Sequence, residues 1–265
     1  MIPFRCAVTF RVLRGGALRG LGGEEGHGLV FQVLARENAE TASEWHARKR
    51  KPFQQFLNAK EWTKRKRDGW VHFAEGERVV WHVHLWDDAG EQFLRGVLRE
   101  RVWRLGPMQV EVEAVRVLEI WQRPEEPPPE ELRMRVIRPA GFRQRGRTLP
   151  LPEPTALFRG LAARWAEVTG ETWPERRLRE LMEKVLLRGF KIRDELVEFR
   201  RARMVGFVGE VRWMTKDEAS REMAWRLLQL ARLVGIGAKT AMGMGVVRLP
   251  GYSSSERSVT SKADA

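Results

Sequence analysis

Between Arg123 and Glu131 the chain sets four prolines and four glutamates in nine residues. Prolines supply no amide donors and carboxylates resist burial, so this segment belongs to no sheet or core and reads as a linker. It divides the 265-residue chain into residues 1–123 and 132–250, with 124–131 between them. Pieces of roughly 120 residues are the size of small domains. A polar, Ser-rich tail, residues 251–265, has little to bury and is expected to be disordered.

Each half repeats one order of elements. In the first, Pro3–Leu13 alternates as a strand, and His27 to about Trp45 shows helical spacing, with Leu29, Val30, Val33 and Leu34 on one side. Phe53–Leu57 and Trp70–Ala74 are short strands. Val79–Trp86 is a further strand, expected to pair with the Trp70 strand through the turn Glu75–Glu77. Asp87–Arg101 is a helix, and Met108–Trp121 a closing strand. In the second, Leu132–Ile137 is a strand and Thr155–Thr169 a helix. Mixed helix or strand follows between Glu175 and Arg203, and then a strand, Met204–Met214. Thr215–Val234 is a helix with a capping box, Thr215 and Glu218, and a stop at Gly235. Gly243–Leu249 is the last strand. Two β-α-β-β-α-β units in a row predict an α+β fold of two tandem ferredoxin-like (RRM-like) domains. Single-stranded RNA commonly lies on such sheet faces or in a cleft between them.

Charge narrows the partner. Lys and Arg number 48 against 35 Asp and Glu, a formal charge of +13. A surplus of that size attracts polyanions, nucleic acid first among them. The single cysteine, Cys6, permits no internal disulfide, which fits a reducing cytoplasm. No Cys/His set has zinc spacing, so neither a metal nor another cofactor is expected. The N-terminal residues alternate like a strand and lack a leader's continuous apolar core. No apolar run of about 18 residues exists, so no membrane span is expected.

The most specific segment is Gly235 to Gly245, with glycines at 235, 237, 243 and 245 and Lys239–Thr240 between the pairs. Glycines let backbone amides approach a phosphate, and Lys239 adds a point charge. The GxxxxGK[ST] loop of nucleotide hydrolases is absent, because Ala238 precedes Lys239. The segment also follows a helix C-terminus, whose dipole opposes an anion, so Lys239 and nearby arginines must offset it.

That segment, preceded by Gly206–Trp213, resembles the C-terminal glycine-rich motif of the RAMP superfamily. More narrowly, it resembles the CRISPR RNA-processing endoribonucleases of the Cas-six type. Trp45–Phe53 resembles the family's N-terminal segment, in which a histidine precedes a basic residue and a Pro-Phe strand start. Val136–Phe142 resembles, loosely, the strand opening its second domain. The resemblance implies an endoribonuclease that cuts precursor CRISPR RNA within repeats without a metal. The ribose 2′-hydroxyl attacks the adjacent phosphate, leaving a 2′,3′-cyclic phosphate and a 5′-hydroxyl. It implies His46 as general acid or base, since histidine titrates near neutrality, and Lys51 as the accessory lysine beside the phosphate. Some members carry a tyrosine in the first helix. The matching position here is Phe31, and His27, one helical turn earlier, is expected to help position or deprotonate the 2′-hydroxyl.

Arg48, Lys49 and Arg50 beside His46, Arg143, Arg145 and Arg147 in the loop Gly141–Thr148, and Arg200, Arg201 and Arg203 before the Gly206 strand are the expected RNA contacts. So are Gly235, Gly237, Lys239, Thr240, Gly243 and Gly245. Trp62 and Trp70 flank a basic run and could stack on bases. His82 and His84 share a strand face without a visible third ligand and read as ordinary surface or packing residues; His72 has no neighbour that suggests a role. The expected partner is CRISPR repeat RNA, with subunits of a CRISPR effector complex as further candidates; monomer and homodimer stay open. A second function stays open beside the nuclease: a non-catalytic RNA-binding subunit of such a complex, which the same loop and charge would serve.

Overall fold

The computed structural model describes residues 3–58, 66–67, 69–123, 125–144, 146–250 and 259–260. Arg145, Trp62 and most of the tail lie outside them. The first half runs β1 (Phe4–Arg14), β2 (Gly16–Arg19), α1 (Gly23–Glu37), α2 (Ala39–Ala47), β3 (Phe53–Asn58), β4 (Lys66–Arg67) and β5 (Trp70–Phe73). It continues β6 (Arg78–Leu85), α3 (Gly90–Arg99), β7 (Val102–Leu105) and β8 (Met108–Ile120). The main sheet is antiparallel in the order β8-β1-β6-β3. Counting only those four strands along the chain, the order is 4-1-3-2, the ferredoxin-like arrangement. Alternation on β1 turns Cys6, Val8, Phe10 and Val12 inward. They meet Leu29, Val30, Val33 and Leu34 of α1 and Phe93 and Val97 of α3. Each such side chain contributes about 1.5–3 kcal/mol by leaving water.

The second half runs β9 (Leu132–Ala140), β10 (Phe142–Gln144), β11 (Arg147–Leu149), α4 (Pro154–Thr169), α5 (Glu175–Lys184), β12 (Val185–Glu198), β13 (Arg203–Thr215), α6 (Glu218–Val234) and β14 (Val247–Arg248). Its sheet reads β12-β13-β9-β14, antiparallel throughout. The same count gives 2-3-1-4, which is 4-1-3-2 read from the other edge. The two halves are tandem ferredoxin-like units. A second core forms from β9, β13, α4 and α6 around Trp165, Phe207 and Trp213. In the tail, the backbone of β15 (Val259–Thr260) pairs with β8.

Four local expectations change. β6 does not pair with β5. It lies between β1 and β3, while β5 joins β2 and β4 in a separate three-stranded sheet. The Glu75–Glu77 turn instead bonds back to Val12 on β1. The helix read from His27 to Trp45 is two helices, because the Asn38 side chain accepts from the Glu40 and Thr41 amides at 3.0 and 3.1 Å and starts a new one. Asp217, not Thr215, caps α6. Its carboxylate accepts from the Ser220 amide at 2.8 Å, while Thr215 ends β13. Of the expected last strand only Val247–Arg248 is in regular register with β9; Gly245 and Val246 reach Pro139 and Ile137 of β9 by irregular backbone bonds. No helix among the described residues is long and apolar enough to cross a membrane.

Candidate active site

Where the halves meet, a cleft of about 520 Å³ is lined by His27 on α1, Lys49, Arg50 and Lys51 after α2, Arg143 on β10, Arg164 on α4, and residues 235–242. Two larger grooves, of about 820 and 770 Å³, lie on the other flank of α1 and hold no histidine.

The His27 ring is half-buried. Its centroid lies 4.9 Å from that of Phe31 and 5.8 Å from that of Phe53. On the far side of Phe31 stands His46, edge-on at 5.2 Å. His46 lies in the last turn of α2, is exposed, and is not among the residues that line the cleft. Burial, followed by the positive charge of Lys51, His46 and Lys239, pushes the His27 imidazole down to about 4. It is therefore neutral at pH 7, with a lone pair to accept a proton. Lys51 donates to the His46 and Arg48 carbonyls, both at 2.6 Å. It thereby closes the C-terminus of α2, where the helix dipole favours a cation, and stays beside His27.

The neighbouring cations are held differently. Arg48 pairs with Glu44 and Asp87, each at 2.6 Å, and Arg50 with Glu167 at 3.2 Å. Lys49, Arg143 and Arg147 are exposed. Arg200, Arg201 and Arg203 sit at the turn between β12 and β13. The Arg200 amide donates to Glu24 at 2.7 Å, and Arg203 pairs with Glu198 at 3.3 Å. Arg200 lines the largest groove together with exposed Trp70 and Arg19, whose guanidinium lies 5.9 Å over the Trp70 ring. His82 stacks on Phe56 at 4.6 Å, and His84 Nδ1 lies 2.9 Å from the Leu233 carbonyl; both are packing residues between the halves.

The glycine loop carries a strained, charged centre. Lys239 holds φ +58°, alone among the described non-glycine residues in the left-handed region. Such a backbone costs of order 1–3 kcal/mol and persists where surrounding structure enforces it. Its ammonium lies 4.5 Å over the Phe199 ring and 3.7 Å from Met242 Sδ, with no carboxylate partner among the described residues. The amides of Gly237, Lys239, Thr240 and Ala241 donate to no protein acceptor among the described residues, while those of Ile236, Ala238 and Gly245 bond within the halves. The loop thus lines the cleft with a cation and with four residues whose amides have no protein acceptor among the described residues.

What holds the loop there was invisible in the sequence. β3 is the outer strand of its sheet, and the loop saddles it. Gln55, fully buried, donates from Nε2 to Gly23 O at 2.9 Å and to Ala241 O at 3.1 Å, and its Oε1 accepts from Trp81 Nε1 at 3.0 Å. On the opposite face Gln54 Nε2 donates to Met244 O at 3.4 Å. A Cβ at Gly235 would collide with the Gln54 amide, and one at Gly245 with the Ile236 carbonyl; both glycines also take positive φ. Gly235 thus serves close approach to β3, and Gly245 close approach of the two ends of the loop to each other.

Comparison with known proteins agrees with this geometry. The family model "CRISPR-associated endoribonuclease Cas6" matches residues 134–247. The CRISPR-associated endoribonuclease Cas6 of Mycobacterium tuberculosis is 28% identical over 136 residues, covering 50% of this chain and 43% of that protein. The match thus spans less than half of that relative's length. Among solved structures, a Cas6 product complex superposes with a TM-score of 0.76 at 23% identity, covering 93% of this chain and 99% of the other. A second Cas6 product complex gives 0.70 at 25% identity over 92% and 99%. Thermus thermophilus Cas6 gives 0.68 at 22% over 94% and 98%. The resemblance read from the sequence is borne out: the chain is similar to the CRISPR-associated Cas6 endoribonucleases, in sequence across its C-terminal half and in fold across nearly its whole length.

Proposed function

We propose that the protein is an endoribonuclease that cuts precursor CRISPR RNA within its repeats, without a metal, by attack of a ribose 2′-hydroxyl on the adjacent phosphate. The observation that carries this reading is a neutral, half-buried His27 beside Lys51 and Lys239, in a cleft lined by four loop residues whose amides have no protein acceptor among the described residues. His27 takes the 2′-hydroxyl proton as O2′ bonds to phosphorus. The P–O5′ bond breaks, and His46 gives a proton to the leaving oxygen. The products are a 2′,3′-cyclic phosphate and a 5′-hydroxyl. Lys51, Lys239 and the loop amides offset charge on the non-bridging oxygens. Burial holds His27 low and the charges of Lys51, His46 and Lys239 add to it; the incoming phosphate counters that second, electrostatic part.

Labelled repeat RNA incubated with the protein in EDTA tests this. The expected result is a single cut with a cyclic phosphate end, slowed about 10²- to 10⁴-fold by His46→Ala, with binding retained. Cleavage that needs a divalent ion, or that leaves a 5′-phosphate, would refute it.

One observation favours a second reading, a non-catalytic RNA-binding subunit. The ring between the two histidines is Phe31, which has no hydroxyl to pass a proton. Binding of repeat RNA with no product at any pH would establish it instead.

A further inference from the structure

α1 separates two concave surfaces. His27 lines the cleft already described, whereas Glu24, Glu25, Gly28 and Gln32, three or four residues apart, share another flank and line the groove of about 820 Å³. Three features of that groove have no use in the core. Trp70, also in its lining, is 42% exposed, the only exposed tryptophan among the described residues. The Glu25 side chain is only 6% exposed, yet its one charged neighbour, the Arg200 guanidinium, stands 4.0 Å away, beyond hydrogen-bond length. The carboxylate accepts from its own amide, and burial pushes its carboxyl above the usual range; most of its lone pairs are left for another donor. Gly28 sits within α1 without a positive φ, and a Cβ there would meet nothing within 4 Å. Glycine inside a helix is less stable than alanine, and here its missing side chain widens the groove.

We propose that this groove is a guanine subsite for an unpaired nucleotide of the RNA that the neighbouring cleft cuts, with the base stacked on Trp70 and its edge read by Glu25 and Arg200. The proposal rests on the reading of the chain as an RNA nuclease and adds a base preference away from the scissile phosphate. Guanine presents an acceptor, O6, beside two donors, N1–H and N2–H. Arg200 next to Glu25 presents the complement, guanidinium donors beside two carboxylate oxygens. Adenine would turn its N6 amino group to Arg200 and its bare N1 to Glu25, a mismatch at both. Base–aromatic stacking supplies affinity for any base, and the charged pair supplies the choice. Arg19 and Arg104, which also line the groove and have no carboxylate partner among the described residues, are placed for the flanking phosphates. The groove shares Gln32, Arg104 and Pro107 with the one of about 770 Å³, which adds Arg14 and Arg36. A run of arginines along two joined grooves suits a strand rather than a free nucleotide.

Abasic scanning of a repeat RNA tests the subsite on the full chain. Each unpaired nucleotide near the cut is replaced in turn by an abasic residue, and affinity is read on RNA made uncleavable by a 2′-deoxy nucleotide before the cut. One position is expected to lose about 5- to 100-fold in affinity, the worth of one base–aromatic stack. W70A should lose as much on intact RNA and nothing further on RNA abasic at that position, while W70F keeps most of the affinity. G28L, which fills the groove, should match W70A without loss of thermal stability. At the sensitive position guanine should bind more tightly than adenine, and E25Q should narrow that difference. A scan with no sensitive position, W70A and abasic losses that simply multiply, or equal binding of guanine and adenine overturns the proposal. Cutting of the all-ribose RNA by the wild-type chain is read separately. A chain that binds with this pattern but does not cut keeps the subsite and loses the nuclease reading; one that cuts with a flat scan does the reverse.

Discussion

The side-chain amide of Gln55 on β3 donates to the Ala241 carbonyl in the glycine loop at 3.1 Å, joining residues 186 apart in the chain. The same amide holds Gly23 at the start of α1, one turn before His27. One buried side chain thus sets the distance between the histidine helix and the loop that carries Lys239. Gln55→Leu would leave the Ala241 carbonyl and the Trp81 indole without this partner, at about 1–3 kcal/mol for each group left unsatisfied. The expected outcome is a lower denaturation midpoint together with a single-turnover cleavage rate that falls more than RNA affinity does. A stable variant with an unchanged rate would remove Gln55 from the account.

Three histidines are held neutral by burial. His27 and His82 are pushed down to about 4, and His84 well below its ordinary value, with Arg5 adding to the effect at His82 and His84. Because the folded values lie below the unfolded one, near 6.5, the unfolded chain takes up protons first on acidification. Their contribution to stability is complete above about pH 6.5 and is lost as the pH falls toward 4. Each adds up to about 1.4 kcal/mol per pH unit within that window. Thermal unfolding from pH 8 to 4 should show Tm level at the alkaline end and falling below about 6.5; a Tm that climbs between pH 7 and 5 would contradict the burial.

Lys239 combines a strained backbone with a charge that has no carboxylate partner among the described residues. Lys239→Gly should leave stability equal or higher by about 1 kcal/mol, since glycine accepts positive φ freely. Repeat RNA affinity should fall, and the slope of log affinity against log salt should become shallower by about 0.7, the loss of one phosphate contact. Titrations at several salt concentrations read both effects. An unchanged slope would mean that the ammonium does not meet the RNA backbone.

The order of elements was readable because alternation on β1 and the Leu29–Leu34 spacing on α1 follow local periods. The Gly235–Gly245 loop stood out for the same reason, as a local composition. Long-range choices were not readable. Nothing near Val79 says that β6 takes β1 and β3 rather than β5. Asn38 looked like one polar residue in a helix until its side chain was seen capping the next. Gln54 and Gln55 read as ordinary polar residues at a strand start, since their partners, Met244 and Ala241, lie at the other end of the chain. His27 and His46 were both singled out by sequence, yet their meeting across Phe31 depends on the turn between α1 and α2. Two of the four loop glycines turn out to serve fit, Gly235 against Gln54 on β3 and Gly245 against Ile236 within the loop.

The most direct test places one 2′-deoxynucleotide before the scissile phosphate of a repeat RNA and follows single-turnover cleavage in EDTA. The account predicts that the all-ribose RNA is cut at one site and the deoxy-substituted RNA binds equally but stays whole. Cutting of the substituted RNA at that phosphate would contradict it.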